Sequence, residues 1–286
     1  MKLCKKDIGL GGGSLLQIAN RTPVQMMSYL IETPDGKTVV IDGGNFCRED
    51  AENLYSLLCS HGKNVDLWFI THAHSDHLGA LAFMLESTDM CDINIGKLCF
   101  DFPDMEWFEK KEPRDAEIAK KLSSGIERCG ISVVKTHAGD FFESGGMKFE
   151  ILNDAIIEEH FPTVNPTGIV IKAHFPERQV LFLGDLDAFS ENIFAERYGT
   201  QKLRCDIVQM AHHGQKGVTK SFYQYIMPKH CLYCAPQWLW ENNNYKCDDP
   251  ETVGKGPFTT LQTRAWMDEL GAEASYTHAD GDWLLF

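Results

Sequence analysis

Along this chain the apolar positions fall into short runs broken by turn residues, a pattern of interleaved strands and helices. Residues 14–19, 27–33 and 38–42 read as strands, the last two joined by Pro34-Asp35-Gly36, a hairpin turn. Residues 49–61 place Ala51, Leu54, Leu57 and Leu58 at helical spacing and stop at Gly62. The run from Val65 to Ile70 has the length and composition of a buried strand, and Leu78 to Glu86 reads as a helix. The more polar stretch 103–128 is predicted helical, interrupted at Pro113 and closed at Gly130. Further strands are expected at 131–136, 147–153, 167–174, 180–184, 205–210, 231–235 and 273–277. Further helices are expected at 187–198, 219–226 and 258–270. Residues 238–256 are polar, rich in turn residues, and read as a surface loop. No repeat, low-complexity tract or long linker divides the chain, so one domain over residues 1–286, of α+β or α/β class, is the expectation.

Composition narrows this picture. With 286 residues, 43% of them hydrophobic, the chain can bury a large core. No apolar stretch approaches the ~20 residues that span a bilayer. Met1 to Asp7 is followed by no apolar segment, which argues against a signal peptide and for the cytoplasm. The ten cysteines lack a framework spacing and are read as free, mostly buried thiols. Cys231-Leu232-Tyr233-Cys234 has redox spacing but lies in an apolar run typical of a core strand, not at a helix start. The net charge of −14, with no Lys/Arg cluster, argues against a nucleic-acid surface. A small anionic substrate stays compatible with it, because a metal centre supplies positive charge locally.

The candidate chemistry sits at the ends of three apolar runs. Trp68-Phe69-Ile70 leads into His72, His74, Asp76 and His77; Val180 to Gly184 leads into Asp185; Ile207 to Ala211 leads into His212 and His213. In extended backbone His72 and His74 face the same way and can grip one ion. The turn into the following helix then aims Asp76 and His77 at a neighbouring position. Three imidazoles and a carboxylate in six residues would desolvate and repel one another without a cation. Asp185, as a carboxylate, can bridge two ions roughly 3.5–4 Å apart. Zinc, iron and manganese all suit this mixture of donors.

The run His72-Ala73-His74-Ser75-Asp76-His77 matches H-x-H-x-D-H, and on it the chain resembles the metallo-β-lactamase superfamily. Thr38 to Gly44, Leu181 to Asp185, and Ala211 to Gly214 look like that family's preceding strand, bridging-aspartate and final-histidine motifs. Asn165 to Val170 together with His212-His213-Gly214 resembles one branch, which contains the hydrolase domain of competence DNA-uptake channel proteins and choline-phosphate esterases. The resemblance implies a four-layer αβ/βα sandwich with two divalent metals, zinc foremost, at one edge of its sheets. By position it assigns His72, His74 and Asp185 to the first metal. Asp76, His77, Asp185 and His213 fall to the second. His212 would be a second-shell or substrate-facing group, and Asp42 would orient the ligand loop. Where many members have another ligating histidine, this chain offers Asn165, with His160 nearby. Where the branch tends to carry Gly-His-Pro, it reads Lys255-Gly256-Pro257.

The implied activity is metal-dependent hydrolysis by a dinuclear centre that makes hydroxide available at neutral pH. Asp76 would orient the nucleophile or carry its proton. A phosphodiesterase acting on a small anionic substrate is the first expectation. A lactonase- or thioesterase-type carbonyl hydrolase is the alternative, and a di-iron redox or sensing protein is a third reading. Trp238, Trp240 and Tyr245 would either cover the substrate or anchor their loop. The sequence leaves the oligomeric state open.

Overall fold

A computed structural model of the chain describes residues 2–247 and 249–286. Among them the strands form two mixed sheets. The first contains β1 (Leu3–Lys6), β2 (Ser14–Gln17), β3 (Ser28–Glu32), β4 (Thr38–Asp42), β5 (Asn64–Phe69), β6 (Asn94–Phe100), β7 (Val133–Lys135) and β15 (Asp282–Leu285). Their order is β1-β15-β2-β3-β4-β5-β6-β7. The second contains β8 (Phe141–Ser144), β9 (Met147–Ile151), β10 (Ile171–His174), β11 (Gln179–Phe182), β12 (Ile207–Gln209), β13 (His230–Tyr233) and β14 (Ala274–Thr277), in the order β14-β13-β12-β11-β10-β9-β8. The helices are α1 (Arg48–Ser60), α2 (Ser75–Glu86), α3 (Met105–Lys111), α4 (Pro113–Cys129), α5 (Glu191–Tyr198), α6 (Lys220–Ile226), α7 (Gln237–Trp240) and α8 (Thr260–Glu269).

The layering follows from strands that are apolar on both faces. Along β4, Val39 and Ile41 pack between the sheets with Phe69, Phe149, Ile171 and Phe182. Val40 points the other way, into a core it shares with Leu54 and Leu58 of α1 and Leu81 of α2. The second sheet repeats this, with Val180 inward and Leu181 outward, in the same core as Phe194 of α5 and Phe222 of α6. Helices thus cover the outer face of each sheet, as the resemblance implied.

Every helix and strand expected from periodicity is present, with bounds that differ by up to a few residues. Four strands and one helix lacked a sequence signal. β1, β8 and β15 carry half-exposed or exposed residues, and β6 interrupts its apolar positions with Gly96 and Lys97. The short α7 lies in the stretch read as loop. α2 begins at Ser75, three residues ahead of the expected start, so Asp76 and His77 occupy its first turn. All ten cysteines are unpaired, yet only Cys99, Cys205, Cys231 and Cys234 are buried, which corrects the expectation of mostly buried thiols. Cys231 and Cys234 sit in and just after β13, a core strand. Among the described residues no helix is long and apolar enough to cross a membrane.

Candidate metal centre

Each ligand loop is held by a local device. β5 ends at Phe69, and Thr71 then donates from N (2.8 Å) and Oγ1 (3.0 Å) to Asp42 Oδ1. Asp42, buried at the end of β4, also accepts from His77 Nδ1 at 2.8 Å, leaving His77 Nε2 to face the centre. The first turn of α2 is pinned to the 43–46 turn: Gly43 N donates to His77 O and Ala80 N to Gly44 O. Gly79 permits this approach, since a Cβ there would overlap the backbone of Asn45 and Phe46.

Asp185 follows Gly184, whose φ of 55° turns the chain sharply after β11, and both Leu183 N and Gly184 N donate to Gln209 Oε1. After β12, His212 (φ 52°, ψ 52°) and His213 (φ 58°, ψ 13°) both adopt left-handed backbone before Gly214 (φ 84°). Such residues cost roughly 1–2 kcal/mol apiece. Adjacent side chains therefore do not point in opposite directions as they would in extended backbone, and both rings turn toward Asp185.

The residues singled out in the sequence converge. His72 Nε2 lies 3.1 Å from His74 Nδ1 and 4.0 Å from Asp185 Oδ2. His77 Nε2 is 3.2 Å from Asp185 Oδ1, and His213 Nε2 is 3.2 Å from Asp76 Oδ2 and 3.5 Å from Asp185 Oδ2. His72, His74 and Asp185 form one compact donor group, and Asp76, His77 and His213 form a second beside it. His213 donates from Nδ1 to Cys234 O at 3.1 Å, which leaves Nε2 for the centre. His212 Nε2 stands 3.7 Å from Asp185 Oδ2 and 3.5 Å from Asn165 Nδ2. His160 is exposed and packs on Phe161, away from either group.

Glu112 was not legible in the sequence. It precedes α4 and accepts from His74 Nε2 at 2.8 Å through Oε1 and from Val164 N at 2.7 Å through Oε2. His74 is thus fixed with Nδ1 free toward His72. Asp115 similarly accepts from Ser75 N at 2.9 Å.

The electrostatics ask for a cation. Burial is the largest single influence and disfavours charge on His77 and His213, but Asp185 together with Asp42 on His77 and with Asp76 on His213 outweighs it, raising His77 well above the imidazole range and His213 to about 9. Burial likewise opposes ionisation of Asp185, and His77 and His213 overcome it, holding its carboxyl well below the ordinary range. Burial pushes His72 down, and His77 adds to the effect. His77 Nε2, His213 Nε2 and Asp185 Oδ1 are buried without hydrogen-bond partners although they face one another. Orphaned donors of this kind, imidazole and carboxylate together, fit divalent metal ions.

A cleft of about 380 Å³ opens over His74, Asp76, Asp185 and His212. Its walls include Gln25, Asn45, Asp115, Gln215, Tyr245 and Phe258, and among the described residues no Lys or Arg lines it. Trp238 is buried, donates from Nε1 to Pro23 O at 2.8 Å and packs edge-on to Tyr245. Trp240 packs on Tyr233 under Arg264. The two tryptophans therefore anchor their segment, and Tyr245 is the member of the trio that reaches the cleft.

A family model described as the metallo-β-lactamase superfamily matches residues 21–229. No curated protein sequence matches the chain. Among solved structures the chain is similar to YhfI, a metallo-β-lactamase fold protein from Bacillus subtilis. That match has 11% identity and a TM-score of 0.52, covering 95% of this chain and 99% of that one. It is also similar to CmlA, a diiron β-hydroxylase from Streptomyces venezuelae, at 15% identity and a TM-score of 0.54, covering 96% of this chain and 54% of that one. By sequence match and by shared fold, the chain belongs to the metallo-β-lactamase superfamily.

Proposed function

We propose that the chain is a metal-dependent hydrolase with a dinuclear centre, acting as a phosphodiesterase on a small anionic substrate. The observation that carries this reading is the meeting of two donor groups at Asp185 on the floor of an open cleft. Two divalent ions held there would supply an activated nucleophile and positive charge for the oxygens of the reacting group. His72, His74 and Asp185 would hold the first ion; Asp76, His77, Asp185 and His213 would hold the second.

The chain's own residues divide the remaining work. Asp76, the more exposed of the two central carboxylates, lines the cleft and would orient the nucleophile and accept its proton at an Oδ atom. Asp42 and Glu112 hold His77 and His74 from behind, so the donors need little reorganisation. The amides of Gln25, Asn45 and Gln215 offer hydrogen bonds to the rest of the substrate. Tyr245 and Phe258 offer ring faces, with Lys246 and Lys216 lying over them. Among the described residues no Lys or Arg lines the cleft wall, so recognition of an anion would fall to the metals, which favours substrates whose charge sits at the reacting group. The likeness of residues 165–170 and 212–214 to the branch with choline-phosphate esterases supports a diester over a carbonyl substrate.

The test is hydrolysis of bis(p-nitrophenyl) phosphate by purified protein, with and without added Mn²⁺ or Zn²⁺. Chelator-sensitive turnover is expected. A metal-loaded protein that leaves diesters intact but opens lactones or thioesters would sink the phosphodiesterase reading. A di-iron redox reading is favoured by one observation, the carboxylates Glu112 and Asp115 beside His74, because oxygen-rich surroundings suit iron. Iron in the isolated protein with absorption that changes reversibly on reduction would establish it instead.

A further inference from the structure

His212 is the residue near the centre that the two donor groups leave without a role. A single ligating histidine after β12 requires only one ring to face Asp185, yet two consecutive histidines are held in left-handed backbone. Strain of this kind persists only where the surroundings over-determine it and clusters at functional sites. Here His212 N donates to Gly184 O at 3.0 Å and Gln215 N donates to His212 O at 2.8 Å.

The result is that Asp185 Oδ2 is ringed by His213 Nε2 at 3.5 Å, His212 Nε2 at 3.7 Å and His72 Nε2 at 4.0 Å. Donor atoms sharing one zinc through bonds of about 2.1 Å stand roughly 3–4 Å apart. Asn165 Nδ2 stands 3.5 Å from His212 Nε2, where an amide N–H meets an imidazole lone pair, so Nε2 is the unprotonated nitrogen of that ring. Asn165 in turn follows Val164, whose N–H is held by the same Glu112 carboxylate that holds His74. One carboxylate therefore ties together the backing of His74 and the segment that touches His212.

We propose that His212 Nε2 is a further protein donor to the ion held by His72, His74 and Asp185, the ion replacing the Asn165 amide as the partner of its lone pair. This rests on the two-metal reading above. The competing role, in which His212 faces substrate and carries a proton, leaves metal binding untouched.

The experiment is calorimetric titration of chelator-stripped protein with Zn²⁺, comparing wild type with His212→Ala and His213→Ala. Wild type is expected to show two binding events. His212→Ala should weaken one by about 100-fold or more, above the ~10–100-fold that loss of an outer partner typically costs. His213→Ala should weaken the other. A change below tenfold in His212→Ala, with wild type binding two ions, overturns the proposal and leaves the centre standing. A wild type that binds no metal overturns the centre itself. Should His212→Ala fail to fold by circular dichroism, proton NMR of Co²⁺-loaded wild type decides. One shifted exchangeable imidazole resonance is expected for each of His72, His74, His77 and His213, with a further one for His212. Absence of that further resonance overturns the proposal.

Discussion

Glu112 grips His74 at 2.8 Å from outside the ligand cluster, matching the 2.8 Å grip of Asp42 on His77. Each carboxylate takes the N–H of one imidazole and leaves the other nitrogen facing inward. Glu112→Ala is therefore expected to reduce metal affinity by about 10–100-fold while leaving the fold intact, since the side chain is partly exposed at the α3–α4 junction. Competition with a chromophoric chelator measures it. An unchanged affinity would remove Glu112 from the centre.

Asp42 is the costlier of the two to alter. It is fully buried, sits at φ 59°, and accepts from Thr71 N, Thr71 Oγ1 and His77 Nδ1. Asp42→Ala strands those donors and is expected to destabilise by about 3–5 kcal/mol. Asp42→Asn tolerates the left-handed backbone and keeps an acceptor for Thr71, so it should fold and lose mainly metal affinity. Urea midpoints beside metal titrations separate the two effects.

The metal-free protein should depend on pH through His213. Its folded pKa, raised to about 9, lies above the ordinary ~6.5. The stability gained from the charged ring is therefore complete below about pH 6.5 and is lost as pH rises through about 9. Metal binding must displace that proton, so metal affinity should climb over the same window. Calorimetry in buffers of different ionisation enthalpy is expected to show proton release at pH 7 that falls as pH rises through about 9.

Gly79 carries a prediction that involves no ligand atom. A Cβ there meets the backbone of Asn45 and Phe46, so Gly79→Ala must push α2 off the 43–46 turn. The expected cost is about 1–3 kcal/mol or more, and the same displacement moves Asp76 and His77. Lower thermal stability together with weaker metal binding is expected; a variant that binds metal normally would show that α2 does not set the centre.

How far the sequence discloses all this depends on where the information resides. The helix periodicity of Ala51, Leu54 and Leu58 and the doubly apolar runs at 38–42, 65–70 and 180–183 are local signals, and the elements they predict are present. Edge strands such as β1, with the pattern Leu3-Cys4-Lys5-Lys6, bury too little to show a period of two. The contiguous cluster at 72–77 is visible because chemistry is concentrated in six residues. Glu112 and Asp115 lie in a polar helical stretch where acidic residues are ordinarily solvated, and only the tertiary fold brings them to His74 and Ser75. The approach of both His212 and His213 to Asp185 is not legible either, because it depends on a left-handed pair that the local sequence does not signal.

The central claim is that Asp185 joins two metal ions, and metal analysis of purified wild type and Asp185→Ala tests it most directly. About two divalent ions per wild-type chain, and loss of metal from a variant that circular dichroism shows to be folded, is the predicted result. No metal in the wild type, or full metal content retained in Asp185→Ala, would contradict it.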